Sequence, residues 1–111
     1  MLGFLRRKAP RDGVDDVPED VLGLRQEVAA LRAEVRSSLR HVAVVRYDAF
    51  DDVGGQLSWS VALLDDSGDG VVLTSIHGRS DARTYAKSVG GWRSEQQLSP
   101  EEQDAIGNAK P

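Results

Sequence analysis

Val21-Leu22-Gly23-Leu24-Arg25-Gln26-Glu27-Val28-Ala29-Ala30-Leu31-Arg32-Ala33-Glu34-Val35 is the stretch whose reading decides the architecture. Its branched residues Val21, Leu24, Val28, Leu31 and Val35 recur in alternating steps of three and four. That spacing gathers them on one narrow helical stripe, with valine at each a position of a heptad and leucine at each d position. Asp20, Glu27 and Glu34 fall at g, and Arg25 and Arg32 at e. In a parallel pair of helices, Asp20 of one chain faces Arg25 of the other, and Glu27 faces Arg32. Valine at a with leucine at d favours two strands, so the expected assembly is a homodimer, with an unknown protein as any further partner.

Packing of this helix on its own sheet is the alternative. Such a helix usually shows a wider stripe, with e or g also apolar. Here both carry charge. Against a long coil, Ser38 takes the next d position, and Pro18 marks a helix start rather than its middle. The pattern predicts a coiled-coil-like helix over 18–39, roughly 33 Å long at about 1.5 Å per residue.

The composition bounds what surrounds the helix. The chain has 111 residues, 29% charged and 40% hydrophobic, with a net charge of −4. One globular domain with a helical appendage fits that size. The negative balance argues against nucleic acid as a partner. There is no cysteine, hence no disulfide, thiolate nucleophile or cysteine-ligated metal, and a cytoplasmic setting fits. No run approaches the roughly 20 apolar residues of a membrane span. Residues 1–17 read as a disordered segment, first basic and then acidic. Leu2, Phe4 and Leu5 beside Arg6, Arg7, Lys8 and Arg11 suit a weak peripheral contact of residues 1–11 with an anionic membrane surface, or else a frayed terminus.

After Leu39 the pattern becomes strand-like. His41 to Phe50 reads as a first strand and Gln56 to Leu64 as a second, closed by turn residues Asp51 to Gly55. In the second, Leu57, Trp59, Val61 and Leu63 alternate with Ser58, Ser60 and Ala62. The large residues are expected to face a core and the small ones water. Asp65 to Gly70 is a hairpin connection, Val71 to His77 a third strand, and Ala82 to Val89 a fourth. A short fifth strand is expected from Trp92 to Gln97. Ser99-Pro100-Glu101-Glu102 then opens a helix with Ser99 as cap, Pro100 at the first position and Glu102 closing a capping box. The expectation is an α+β fold: an amphipathic helix, an antiparallel β-meander of about five strands over 40–98, and a short helix and tail over 99–111. No turn residue separates helix from first strand, so Leu39 is expected to tuck between helix end and sheet.

Several stretches also resemble a known family. Val45 to Phe50, Gly54-Gly55, Leu63-Leu64-Asp65, Gly68 to Arg79 and Tyr85-Ala86-Lys87 are similar to the uncharacterised bacterial family called domain of unknown function 4446. The resemblance spans roughly Leu39 to Ile106, and Thr74 to Arg79 is its most specific part. It implies a bacterial protein in which a helix feeds a small β domain. Many relatives carry an amino-terminal membrane-spanning helix, a stretch not found in these 111 residues. The resemblance implies no activity and no catalytic residue.

Candidate chemistry is sparse. Asp65, Ser67, Asp69 and Gly70 match the first half of a calcium loop, but Ile76 stands where its bidentate acid belongs. His41 and His77 are the two histidines, and their spacing supports no zinc site. Ser58, Ser60, Thr74 and Ser75 sit in no nucleophile motif. No catalytic residue, metal or cofactor is therefore expected. The leading expectation is a non-catalytic interaction module that self-associates through Val21, Leu24, Val28, Leu31 and Val35. The alternative is a small-ligand or anion-binding domain using a basic and aromatic sheet face, with Arg46, His77, Arg79, Tyr85 and Lys87 as its binding residues.

Overall fold

The computed structural model describes residues 13–111. The stretch 1–11, with the membrane contact expected of it, lies outside the described residues. The chain divides between Glu34 and Val35 into two compact units.

In the first unit a 3-10 turn, Val14–Asp16, falls within the segment expected to be disordered. Helix α1, Val21–Arg36, follows it with 16 residues. At about 1.5 Å per residue its length is roughly 24 Å, shorter than the expected 18–39. The start moves because Asp20 is the cap. Its Oδ2 accepts the Gly23 amide at 2.8 Å, satisfying one of the donors a helix start leaves open, and its carbonyl accepts the first intrahelical bond, from the Leu24 amide, at 2.9 Å. No residue of α1 is buried.

The second unit is an antiparallel meander with a helix on one face. Its strands are β1 (His41–Tyr47), β2 (Ser58–Leu64), β3 (Gly70–His77) and β4 (Ala82–Val89), in the order β1-β2-β3-β4. Helix α2, Pro100–Ala109, begins as expected: Ser99 accepts the Glu102 amide, and the Glu102 side chain accepts the Ser99 amide.

The strand count is four, not about five. The stretch expected to form a fifth strand reverses at once after β4. Gly91 and Trp92 both take left-handed backbone, with φ of 58° and 68°. Gly90 and Arg93 exchange amide-to-carbonyl bonds of 2.7 and 3.1 Å around them. That is the tight two-residue turn of a hairpin, and Gly90 with Arg93 makes only an isolated bridge. Tertiary contacts hold the tryptophan there. The Trp92 amide donates to the Gly68 carbonyl at 2.9 Å, and its ring meets His41 edge to face at 5.6 Å. Its indole occupies the space a Cβ on Gly68 would need.

The expected sides of β2 are exchanged. Ser58, Ser60, Ala62 and Leu64 are buried, whereas Trp59, Val61 and Leu63 are only partly covered. Leu57 is 49% exposed. Ala62, Leu64, Val72 and Val89 pack with Ala105, Ile106 and Ala109 of α2 to form the core. A helix approaches closely over serine and alanine, and the buried hydroxyls find partners. Ser58 Oγ accepts the His77 amide at 2.9 Å, and Ser60 Oγ bonds Thr74 Oγ1 at 2.8 Å. Period-two alternation separates two sets of side chains without saying which set the helix covers.

Candidate functional site

The strongest polar construction lies between the sheet and α2. Capping places Glu102 in the first turn of α2, facing β3 and β4, with 1% of its surface exposed. Oε1 accepts Lys87 Nζ at 2.8 Å and the Ser99 amide at 2.7 Å. Oε2 accepts the Thr74 hydroxyl at 2.6 Å, and Ser60 extends the chain. Burial alone would push the Glu102 carboxyl up. The hydrogen bonds from Lys87, Thr74 and the Ser99 amide, with the Lys87 charge, instead hold it below its ordinary value. Both oxygens are thus occupied by donors of the fold. The arrangement stabilises a buried charge and clamps helix to sheet.

A second cluster closes the junction before β1. Asp66 Oδ1 lies 2.7 Å from Arg40 Nε and 2.7 Å from His41 Nε2. The hydrogen bond from Arg40, then that from His41, holds the Asp66 carboxyl below its usual value. Arg40 is correspondingly raised by Asp66. The Asp66 amide donates to the Arg36 carbonyl at 3.1 Å, satisfying one of the acceptors a helix end leaves open. Leu39, expected to tuck in here, is 49% exposed, so polar groups hold the junction rather than a buried leucine.

The residues singled out for ligand binding do not converge. Strand register puts Tyr85 and Lys87 on the face toward α2, and Arg46 and His77 on the other. Arg79 lies in the turn after β3 and pairs with Asp52 at 3.2 Å, both side chains exposed. Arg46 Nε and Nη2 donate to the Gln56 carbonyl at 3.1 and 2.9 Å. Lys87 is held by Glu102 and the Gln97 carbonyl. His77 Nε2 bonds Ser75 Oγ at 3.0 Å. Tyr85 lines a cavity of about 330 Å³ with Phe50, Ile76, Gly78, Asp81 and Arg83.

The acids of the β2–β3 connection serve the turn. Asp65 Oδ1 accepts the Ser67 and Asp69 amides at 2.9 and 3.0 Å, and Asp69 Oδ1 accepts the Gly91 amide at 2.9 Å. Among the described residues no group of three His, Asp or Glu side chains could hold a metal ion. No helix among them is long and apolar enough to cross a membrane.

Sequence reading placed Glu102 at its cap but missed its reach to Thr74 and Lys87, and it took Asp66 for a solvated turn acid. The capping box was the one signal for Glu102. For Asp66, an acid among turn residues, the pattern carried none.

The family model for proteins of unknown function, DUF4446, matches residues 7–110. The chain belongs to that family. No curated protein and no solved structure matches it.

Proposed function

We propose that this member of the DUF4446 family is a non-catalytic interaction module that forms a homodimer by pairing α1 in parallel. One observation carries the reading. The seam residues Val21, Leu24, Val28, Leu31 and Val35 are 38–73% exposed in the single chain, although their heptad spacing and charged flanks suit a second helix.

The physics favours pairing. A helix little longer than about 12–15 residues is marginal in water on its own, and Gly23 lies in the first turn of this one. Packing the apolar stripe must supply the missing stability. A valine or leucine fully buried contributes about 1.5–3 kcal/mol, and these side chains start partly covered, so each gains less. Glu27 with Arg32 across the pair adds only a few tenths of a kcal/mol, roughly, but disfavours other registers. A bacterial cytoplasm is the setting we attach to this reading, which the cysteine-free sequence fits.

Light scattering over a concentration series tests it. The expected result is a dimer at micromolar concentration. Replacing Leu24 and Leu31 together by lysine should give a monomer that keeps its strand signal in circular dichroism. A wild-type chain that stays monomeric throughout would remove the reading.

A further inference from the structure

The open sheet has two edges, β1 and β4, and they are not alike. On β4 the Ser88 amide is taken by Gln96 Oε1 at 3.1 Å, and Arg83 and Lys87 set charge along the strand. Occupied donors and charged side chains keep a sheet edge from pairing with another chain. From His41 to Val45, β1 carries neither device. It reads His-Val-Ala-Val-Val, and Val42 and Val44 are 53% and 57% exposed.

Strand register identifies the open backbone groups. The Asp65 amide donates to the Asp69 carbonyl, so odd-numbered residues of β2 bond toward β3 and even-numbered ones toward β1. Ser58, Ser60 and Ala62 lie opposite Tyr47, Val45 and Ala43. The amides and carbonyls of Val42, Val44 and Arg46 therefore point away from the sheet, and no described residue bonds them.

We propose that this edge pairs antiparallel with the same edge of a second copy, joining two four-stranded sheets into one continuous sheet. The contact lies in the second unit alone and goes beyond the α1 pairing above.

Two observations choose a second copy as the occupant. The first is that β1 matches itself. Centred on Val44, the pairing sets Val44 against Val44 and Val42 against Arg46, so the three open positions satisfy one another. Ala43 then meets Val45, and His41 meets Tyr47. No like charges face each other. Centring on Ala43 would instead set Arg46 against Arg40, whose amide is already given to the Ser38 carbonyl at 2.9 Å. Centring on Val45 would set Val42 against Asp48, beyond the strand end.

The second is order. β1 is already held extended along its whole length by β2. A copy brings the required strand preformed, whereas a flexible peptide must lose backbone freedom to bind.

A single strand edge is a small contact, so the pairing is weak and leaves the micromolar behaviour of α1 untouched. The test uses the full chain carrying Leu24→Lys and Leu31→Lys, which breaks the helix seam. By NMR, the Val42, Val44 and Arg46 amides should exchange about twofold more slowly at roughly 1 mM than at roughly 0.05 mM, the regime of a weak contact. Ala82, Thr84 and Ala86 on the β4 edge should not change. Adding Val44→Pro removes the central donor at an edge position that tolerates proline. It should abolish the slowing at Val42 and Arg46 and leave the strand signal in circular dichroism. Adding Val44→Lys in its place should also abolish it, because two lysines then face each other at the axis. Mixing that chain with one carrying Val44→Glu should restore the slowing. Exchange at Val42, Val44 and Arg46 that ignores concentration overturns the proposal and leaves the edge to an extended segment of another protein. A mixture that restores nothing overturns the pairing centred on Val44. Neither result bears on α1, which is judged by light scattering of the wild-type chain.

Discussion

Thr74 donates its hydroxyl hydrogen to Glu102 Oε2 across 2.6 Å, joining the middle of β3 to the first turn of α2. Both residues are buried, and Thr74 Oγ1 is bonded in turn to Ser60 Oγ at 2.8 Å. A polar chain of Ser60, Thr74, Glu102 and Lys87, set among the alanine, valine, leucine and isoleucine of the core, sets the position of the helix over the sheet. Apolar contacts alone would tolerate sliding.

Thr74→Val keeps the shape and removes that donor. The expected cost is about 1–3 kcal/mol, the range for leaving a buried partner unsatisfied. Glu102→Ala should cost about 2–4 kcal/mol, since it also strips Lys87 of its carboxylate, leaving the Gln97 carbonyl. Urea denaturation of both variants and of the double variant measures the coupling. Additive effects would mean that the contact carries no energy of its own.

The depressed Glu102 carboxyl predicts an acid-side loss of stability. A group whose folded value lies below its unfolded value binds fewer protons when folded. Its contribution is complete above the unfolded glutamate value of about 4.3, and it is lost as pH falls through the lower folded value. Stability followed from pH 7 downward should therefore fall below that region. In Glu102→Gln that part of the slope should disappear, even though its stability at neutral pH is lower.

Gly68→Ala is expected to be costly for two reasons. Gly68 has φ of 80°, and an added Cβ would meet the Trp92 ring. A left-handed alanine with a displaced indole should cost about 2–4 kcal/mol. Denaturation midpoints measure the cost, and near-ultraviolet circular dichroism reports whether the tryptophan has moved. Gly54→Ala, with open space at its Cβ, is the control and should change little.

At the junction before β1, Asp66→Ala should matter more than Leu39→Glu. The first removes the acceptor shared by Arg40 and His41, while the second alters a side chain that is half exposed already. Amide exchange across residues 36–41 is expected to speed up in Asp66→Ala and to stay near wild type in Leu39→Glu. The reverse order would return the junction to hydrophobic packing.

Local pattern by itself determined a good deal of this protein. Period-two alternation located β2, runs bounded by turn residues located β3 and β4, turn residues located the connection at Asp65 to Gly70, and Ser99-Pro100-Glu101-Glu102 announced α2 with its capping box. Those features arise within a few residues of one another, from steric preference and local hydrogen bonds, so the sequence displays them. What lay beyond it was which side of the sheet α2 covers, because alternation divides side chains into two sets without ranking them. Serine and alanine became core on β2 because a second element needed room to approach. The missing fifth strand has the same origin. Trp92 reads as a strand residue, yet contacts with Gly68 and His41, more than 20 residues away in sequence, hold it in left-handed backbone. The pairing of Glu102 with Thr74 and Lys87, and of Asp66 with Arg40 and His41, likewise exists only once strand register is set. Energies that depend on distant partners leave no periodic trace in the chain, and tertiary structure alone decides them.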